Sequence, residues 1–168
     1  HTELPYSIAA SAVESPLLDL VAGADLEDEK CAAFAERWDV EAVYTDFREM
    51  VEKESLDLVA VCTAACLPKP HNQSPSPEDR SDSHADLTVA LAEMGVPMLY
   101  VEKAMASSMQ RADEVLAAVQ KSGAVFNTGV LRRFDNRYEV VRNAVLAGAV
   151  GEVKAVVHYA PSSLMHGH

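Results

Sequence analysis

The sequence predicts an α/β fold: a Rossmann-type doubly wound parallel sheet, followed by the start of a second α/β domain. Three observations carry this. Short apolar, β-rich runs alternate with helical stripes from residue 17 to residue 147, the pattern that right-handed βαβ crossovers impose on a parallel sheet. The run "LDLVAVC" (56–62) is almost continuously apolar, as strands covered on both faces are. Beyond Gly148, "GEVKAVVHYA" alternates, with Val153, Ala155, Val157 and Tyr159 on one face, which suits an antiparallel sheet in another layer. The expected division is 1–130 for an incomplete Rossmann domain with a loop insertion at 64–83, and 131–168 for the start of the second domain.

Each element has its own local signal. "HTELPYSIAASAVES" reads as a helix, and "LLDLVAGAD" (17–25) as a strand. "LEDEKCAAFAERW" sets Cys31, Phe34, Ala35 and Trp38 on one helical face, the stripe that packs inward. "AVYTDF" is a strand whose Asp46 can cap the brief helix "FREMVEK". After "LDLVAVC" comes "TAACLPKPHNQSPSPEDRSDS", with four prolines and no periodicity, a long loop of disordered-type composition. "HADLTVALAEM" then places Leu87, Leu91 and Met94 on one stripe, with Gly95 as the stop. "PMLYVE" is the next strand. Ser107 and Gln110 form a capping box for "MQRADEVLAAVQKS", which Gly123 ends. "AVFNTGV" is the last strand of the sheet, and Asp135 caps "NRYEVVRNAVLA", closed by Gly148.

The totals exclude some functions. A chain of 168 residues can bury a real core. Its formal net charge of −12 argues against nucleic acid and anionic membranes as partners. Three cysteines, Cys31, Cys62 and Cys66, give no disulfide framework and suit a reducing, cytoplasmic setting. No apolar stretch approaches a membrane span.

Few residues carry chemistry. Asp25 ends the first strand run, where an acid in a dinucleotide-binding sheet accepts hydrogen bonds from the adenosine ribose hydroxyls; it could equally cap the following helix. The acids that follow it in "DLEDE" would repel a 2′-phosphate, which favours NAD over NADP. Glu102 and Lys103 close an apolar strand abruptly. They are either a solvated pair or a site at the strand's carboxyl end, where open α/β sheets bind ligands. Cys62, Cys66, His71 and His84 do not have the spacing of a zinc site, so no metal is expected.

The ordered set Asp25, Cys62-Thr63, His84, Glu102-Lys103 and Arg133-Phe134 resembles the Gfo/Idh/MocA oxidoreductases over nearly the whole chain apart from the Pro/Ser-rich loop. The resemblance implies hydride transfer between a nicotinamide and a hydroxyl-bearing carbon of a sugar, polyol or related small molecule. It implies that Lys103 is catalytic, beside the nicotinamide and the substrate hydroxyl, with Glu102 before it. Cofactor contacts are expected from Asp25, Cys62, Thr63, Ala64, His84, Glu102 and Lys103, and substrate contacts from Asn127 and Arg133, where Arg133 could equally form a salt bridge that fixes the domain junction. A homo-oligomer through the second domain's sheet is also implied. The alternative is a non-catalytic nucleotide-binding or regulatory protein on the same fold. One departure is Ala104, which stands where the family has a proline; an X–Ala bond favours trans far more strongly than X–Pro, which leaves the direction of Lys103 open. A glycine-rich phosphate turn does not precede Asp25. The first strand and its turn are therefore expected upstream of His1, and the 168 residues alone are expected to bind NAD poorly and turn over nothing.

Overall fold

Three short parallel strands, β3 (Leu58–Val61), β4 (Met98–Val101) and β5 (Val125–Thr128), form one sheet in the order β3-β4-β5. The computed structural model describes residues 7–63 and 82–157, with 131 and 132 by backbone only. The register is in step: Val61 pairs with Val101, and Val101 with Thr128. Two further strands, β1 (Ala22–Ala24) and β2 (Ala42–Tyr44), pair in parallel as a separate ribbon. The two sheets match the two flanks of the doubly wound order, with β2-β1 as its third and second strands and β3-β4-β5 as its fourth to sixth.

The helices lie between the strands in sequence: α1 (Ile8–Glu14), α2 (Asp28–Trp38), α3 (Phe47–Lys53), α4 (Ser83–Glu93), α5 (Met109–Ser122) and α6 (Asn136–Leu146). Their ends follow local chemistry. Asp46 accepts the Arg48 N–H at 2.9 Å to start α3, and Asp135 accepts the Arg137 N–H at 2.9 Å to start α6. Gly123 stops α5 at φ 75° and Gly95 follows α4 at φ 81°, a left-handed backbone that glycine adopts without a Cβ penalty.

The core lies under one face of the three-stranded sheet. Val59, Val61, Leu99 and Val101 meet Ala85, Leu91 and Ala92 of α4 and Val115 and Val119 of α5. Leu99, Val101 and Val115 are at most 1% exposed, so each excludes water from nearly its full apolar area, a contribution of roughly 1.5–3 kcal/mol per large side chain. Leu58 and Ala60, on the other face of β3, are only half-buried. The strand is therefore less evenly covered than its apolar run predicts.

On the β1-β2 ribbon, α2 buries Cys31 and lays Phe34 directly on Gly23. The Cys31 thiol lies 3.3 Å from the Asp25 carbonyl oxygen and 3.2 Å from that of Tyr44, bridging the carboxyl ends of both strands.

Several expectations need correction. The cap of α5 is Ser108, not Ser107: Ser108 is extended and its hydroxyl accepts the Arg111 N–H at 3.2 Å, whereas the Ser107 N–H is taken by Asp82. The first strand is only Ala22–Ala24, and Leu17 before it is 88% exposed. Residues 151–157 form no strand and are all exposed; no described strand pairs with them, and alternation alone supplies no ladder partner. The 64–81 part of the insertion and Tyr159 lie outside the described residues. Contacts divide the chain at Gly129–Val130. Among the described residues no helix is long and apolar enough to cross a membrane.

A Cβ on Gly23 would sit 2.6 Å from Phe34 Cε1. Gly23→Ala is expected to cost about 1–3 kcal/mol in urea unfolding. Adding Phe34→Leu, which frees the space, is expected to recover part of that loss; strictly additive losses would contradict the packing described.

Candidate active site

The in-step register delivers three chain segments to one edge. Beyond the paired residues, the Glu102 N–H donates to the Val61 carbonyl at 2.9 Å and the Gly129 N–H to the Val101 carbonyl at 2.8 Å. Cys62, Glu102 and Gly129 therefore stand side by side at the carboxyl end of the sheet, with Thr63 and Lys103 one residue further out. Carboxyl strand ends are where open α/β sheets hold ligands.

Lys103 is exposed there. Its own N–H donates to Glu102 Oε1 at 3.0 Å, and the Lys103–Ala104 peptide is cis. Among the described residues no carboxylate pairs with its ammonium, so Glu102 and Lys103 are not the ion pair their adjacency suggests. The Glu102 carboxylate lies over Gly129, where an added Cβ would overlap Oε1 and come within 2.8 Å of the Tyr100 hydroxyl. Gly129 is thus the residue that gives Glu102 its place, and Glu102 in turn holds the Lys103 backbone.

His84, in the first turn of α4, is 1% exposed. Its Nδ1 lies 2.7 Å from the Ala104 carbonyl oxygen and its Nε2 lies 2.7 Å from that of Thr63. The ring therefore stands between the segment after β3 and the segment after β4, and with a single N–H it donates to one of these two carbonyls at a time. The Thr63 and Ser83 hydroxyls lie 3.2 Å apart and add a second link. Cys62 is exposed as a residue, yet partial burial pushes its thiol above the ordinary range, and the nearby Glu102 carboxylate pushes it further in the same direction. A thiol held protonated is a poor nucleophile.

Asp25 follows β1, its N–H bonded to the Tyr44 carbonyl at 3.2 Å. Its Oδ1 accepts the Glu27 N–H at 3.1 Å, and its side chain is 42% exposed. It shapes the entry to α2 without being its N-cap, which is Glu27. Asp28 and Glu29 fill the first turn of α2, and Lys30 is engaged by Glu27 at 2.6 Å. Lys30 also lies 3.9 Å from Asp25 Oδ1, so an ammonium as well as several acids stands at this corner.

Asn127 is exposed on β5 opposite Tyr100, and Arg133 is exposed in a 3-10 turn, Leu131–Phe134, belonging to the second unit. Ala64 lies outside the described residues, as do Cys66 and His71. Among the described residues no group of three or more His, Cys, Asp or Glu could hold a metal ion. Besides Gly129, Asp82 escaped the sequence reading: 5% exposed, it accepts the Ala85 N–H at 3.4 Å with Oδ1 and the Ser107 N–H at 2.6 Å with Oδ2. Its only signal was an acid two positions before the first helical stripe, a cap pattern.

Comparison with known proteins gives these features a setting. Residues 6–130 match the Gfo/Idh/MocA family, described as an oxidoreductase family with an NAD-binding Rossmann fold. The chain is 24% identical over 133 residues to myo-inositol 2-dehydrogenase of Thermotoga maritima, covering 79% of this chain and 35% of that protein. It is 30% identical over 133 residues to inositol 2-dehydrogenase of Rubrobacter xylanophilus, covering 79% of this chain and 33% of that protein. In fold it resembles the crystal structure of myo-inositol 2-dehydrogenase from Lactobacillus plantarum, with a TM-score of 0.70 at 20% identity, over 86% of this chain and 38% of that one. The chain thus spans about a third of the length of the curated relatives it matches.

The influence of the Glu102 charge on the Cys62 thiol makes a prediction. Glu102→Gln removes the negative charge beside the thiol, lowers its pKa and raises its thiolate fraction. At a fixed pH near 8, alkylation of Cys62 by iodoacetamide, followed by peptide mass spectrometry, is expected to be faster in Glu102→Gln than in the parent. An unchanged or slower rate would contradict the placement of Glu102.

Proposed function

The chain belongs to the Gfo/Idh/MocA family of oxidoreductases with an NAD-binding Rossmann fold, and from that premise we propose that it serves hydride transfer between NAD and a hydroxyl-bearing carbon of a polyol, sugar or related small molecule. The observation that carries this reading is Lys103: an exposed ammonium at the carboxyl end of β4, its backbone held by Glu102 and by the His84 link to Ala104. The names of the relatives support a cyclic polyol as the first substrate to try.

The nicotinamide, when bound, supplies the hydride chemistry. The protein's part is binding, orientation and proton handling. Asp25 accepts hydrogen bonds from the ribose hydroxyls, and the acids of α2 repel a 2′-phosphate. Cys62 and Thr63 line the approach after β3, largely through backbone groups. Lys103 hydrogen-bonds the reacting oxygen. In the reducing direction its ammonium gives a proton to the developing alkoxide, and in the oxidising direction its amine takes the hydroxyl proton. Asn127 and Arg133 offer polar side chains for substrate hydroxyls or an anionic group.

In the full-length protein, Lys103→Ala is expected to lower kcat on inositols or related polyols by about 100-fold to 10,000-fold, followed by NADH absorbance. Equal activity in parent and variant would remove Lys103 from the chemistry, and NADH binding without turnover in either would favour the non-catalytic reading. Asp25→Ala is expected to raise KM for NAD by roughly 10-fold or more, the loss of a charge-assisted hydrogen bond, and to narrow the preference over NADP. An unchanged ratio of kcat/KM for the two cofactors would contradict the ribose role.

A further inference from the structure

The loop that presents Lys103 is held from outside itself, and Asp82 is one of the two holders. Between Glu102 and the start of α5 at Met109, the chain makes two contacts with the first turn of α4. His84 Nδ1 meets the Ala104 carbonyl at 2.7 Å, and Asp82 Oδ2 accepts the Ser107 N–H at 2.6 Å. Both holders are buried, at 1% and 5% exposure. Both belong to one short stretch, so the loop is fixed to a single rigid piece at two points on either side of Met105 and Ala106, which pack against the core. The base of that piece is itself tied down: the Thr88 hydroxyl donates to the His84 carbonyl at 2.6 Å, and Arg111 of α5 pairs with Asp86 of α4.

Asp82 is doing more than ending a helix. As an N-cap it needs one oxygen, and that oxygen faces the Ala85 N–H at 3.4 Å, a long contact. Its short, charge-assisted bond goes to Ser107, 25 residues away. A serine or asparagine caps a helix about as well as aspartate, but serine is shorter by a reach, and asparagine has one acceptor oxygen where aspartate has two. The carboxylate is the group that satisfies both N–H donors at once.

We propose that Asp82 is a positioning residue: through Ser107 it sets the loop that presents Lys103 to the reacting oxygen. This rests on the role given to Lys103 above. Misplacement of an active group by an ångström can cost about 100-fold in rate, so the expected signature is a loss of kcat with binding retained.

The test uses the full-length protein with Asp82→Asn and Asp82→Ser, assayed by NADH absorbance with an inositol panel and by hydrogen exchange of peptides covering 102–110 and 86–93. The expected result is a fall in kcat of about 10-fold to 100-fold in both variants, KM within about 3-fold of the parent and a Tm lowered by no more than one lost hydrogen bond explains. Exchange speeds up in 102–110 but not in 86–93. On a Lys103→Ala background the same substitutions cost nothing further. Wild-type kcat and exchange in Asp82→Ser would reduce Asp82 to a helix cap and overturn the proposal. A parent protein without dehydrogenase activity would sink the functional reading. In that case exchange still decides whether Asp82 holds the loop: acceleration confined to 102–110 supports it, and unchanged exchange refutes it.

Discussion

The in-step pairing of β3, β4 and β5 is the constraint on which the site depends. Side chains alternate faces along a strand, so a slip of one residue would turn the buried Leu99 and Val101 of β4 outward and move its last residues to the other face. The burial of Val59, Val61, Leu99 and Val101 against α4 and α5 excludes that slip. Once the register is set, the backbone bonds from Glu102 to Val61 and from Gly129 to Val101 follow, and Cys62, Glu102 and Gly129 come to one line. The candidate edge thus follows from a hydrophobic choice made in the strand residues just before it.

From that line outward, positioning passes to polar contacts between segments. Gly129 makes room for Glu102, Glu102 holds the Lys103 N–H, and His84 joins the carbonyls of Thr63 and Ala104. The Glu102 carboxylate and the His84 ring meet backbone groups of these turns, His84 from a buried position and Glu102 from a more open one. Lys103 is exposed on this support, which suits the role proposed for it, to meet a substrate oxygen and move its proton.

The local parts of this design were legible in the sequence. Asp46 and Asp135 cap the helices they precede, Gly95 and Gly123 stop the helices they follow, and Cys31 falls on the buried face of α2, because each signal lies within one or two turns of its effect. The same range limits explain the misreadings. Ser107 and Ser108 are adjacent and chemically alike; Ser108 caps α5 while the Ser107 N–H goes to Asp82, 25 residues upstream, a contact no local pattern shows. Residues 151–157 alternate as a strand would, but a strand needs a partner that alternation does not name. The edge residues Glu102 and Lys103 were found through resemblance to a family, and the parts played by Gly129 and Asp82 became visible only as geometry. A glycine against a carboxylate and an aspartate against a distant amide leave no pattern along the chain.

The central claim is that Lys103 stands at the reacting end of a nicotinamide held on this edge. A crystal structure of the full-length protein with NAD and an inositol bound tests it most directly. The expected result is the Lys103 ammonium within hydrogen-bond reach of the substrate hydroxyl whose carbon faces nicotinamide C4, with Asp25 on the adenosine ribose. A nicotinamide bound elsewhere, or Lys103 turned to solvent with another residue on that hydroxyl, would contradict it.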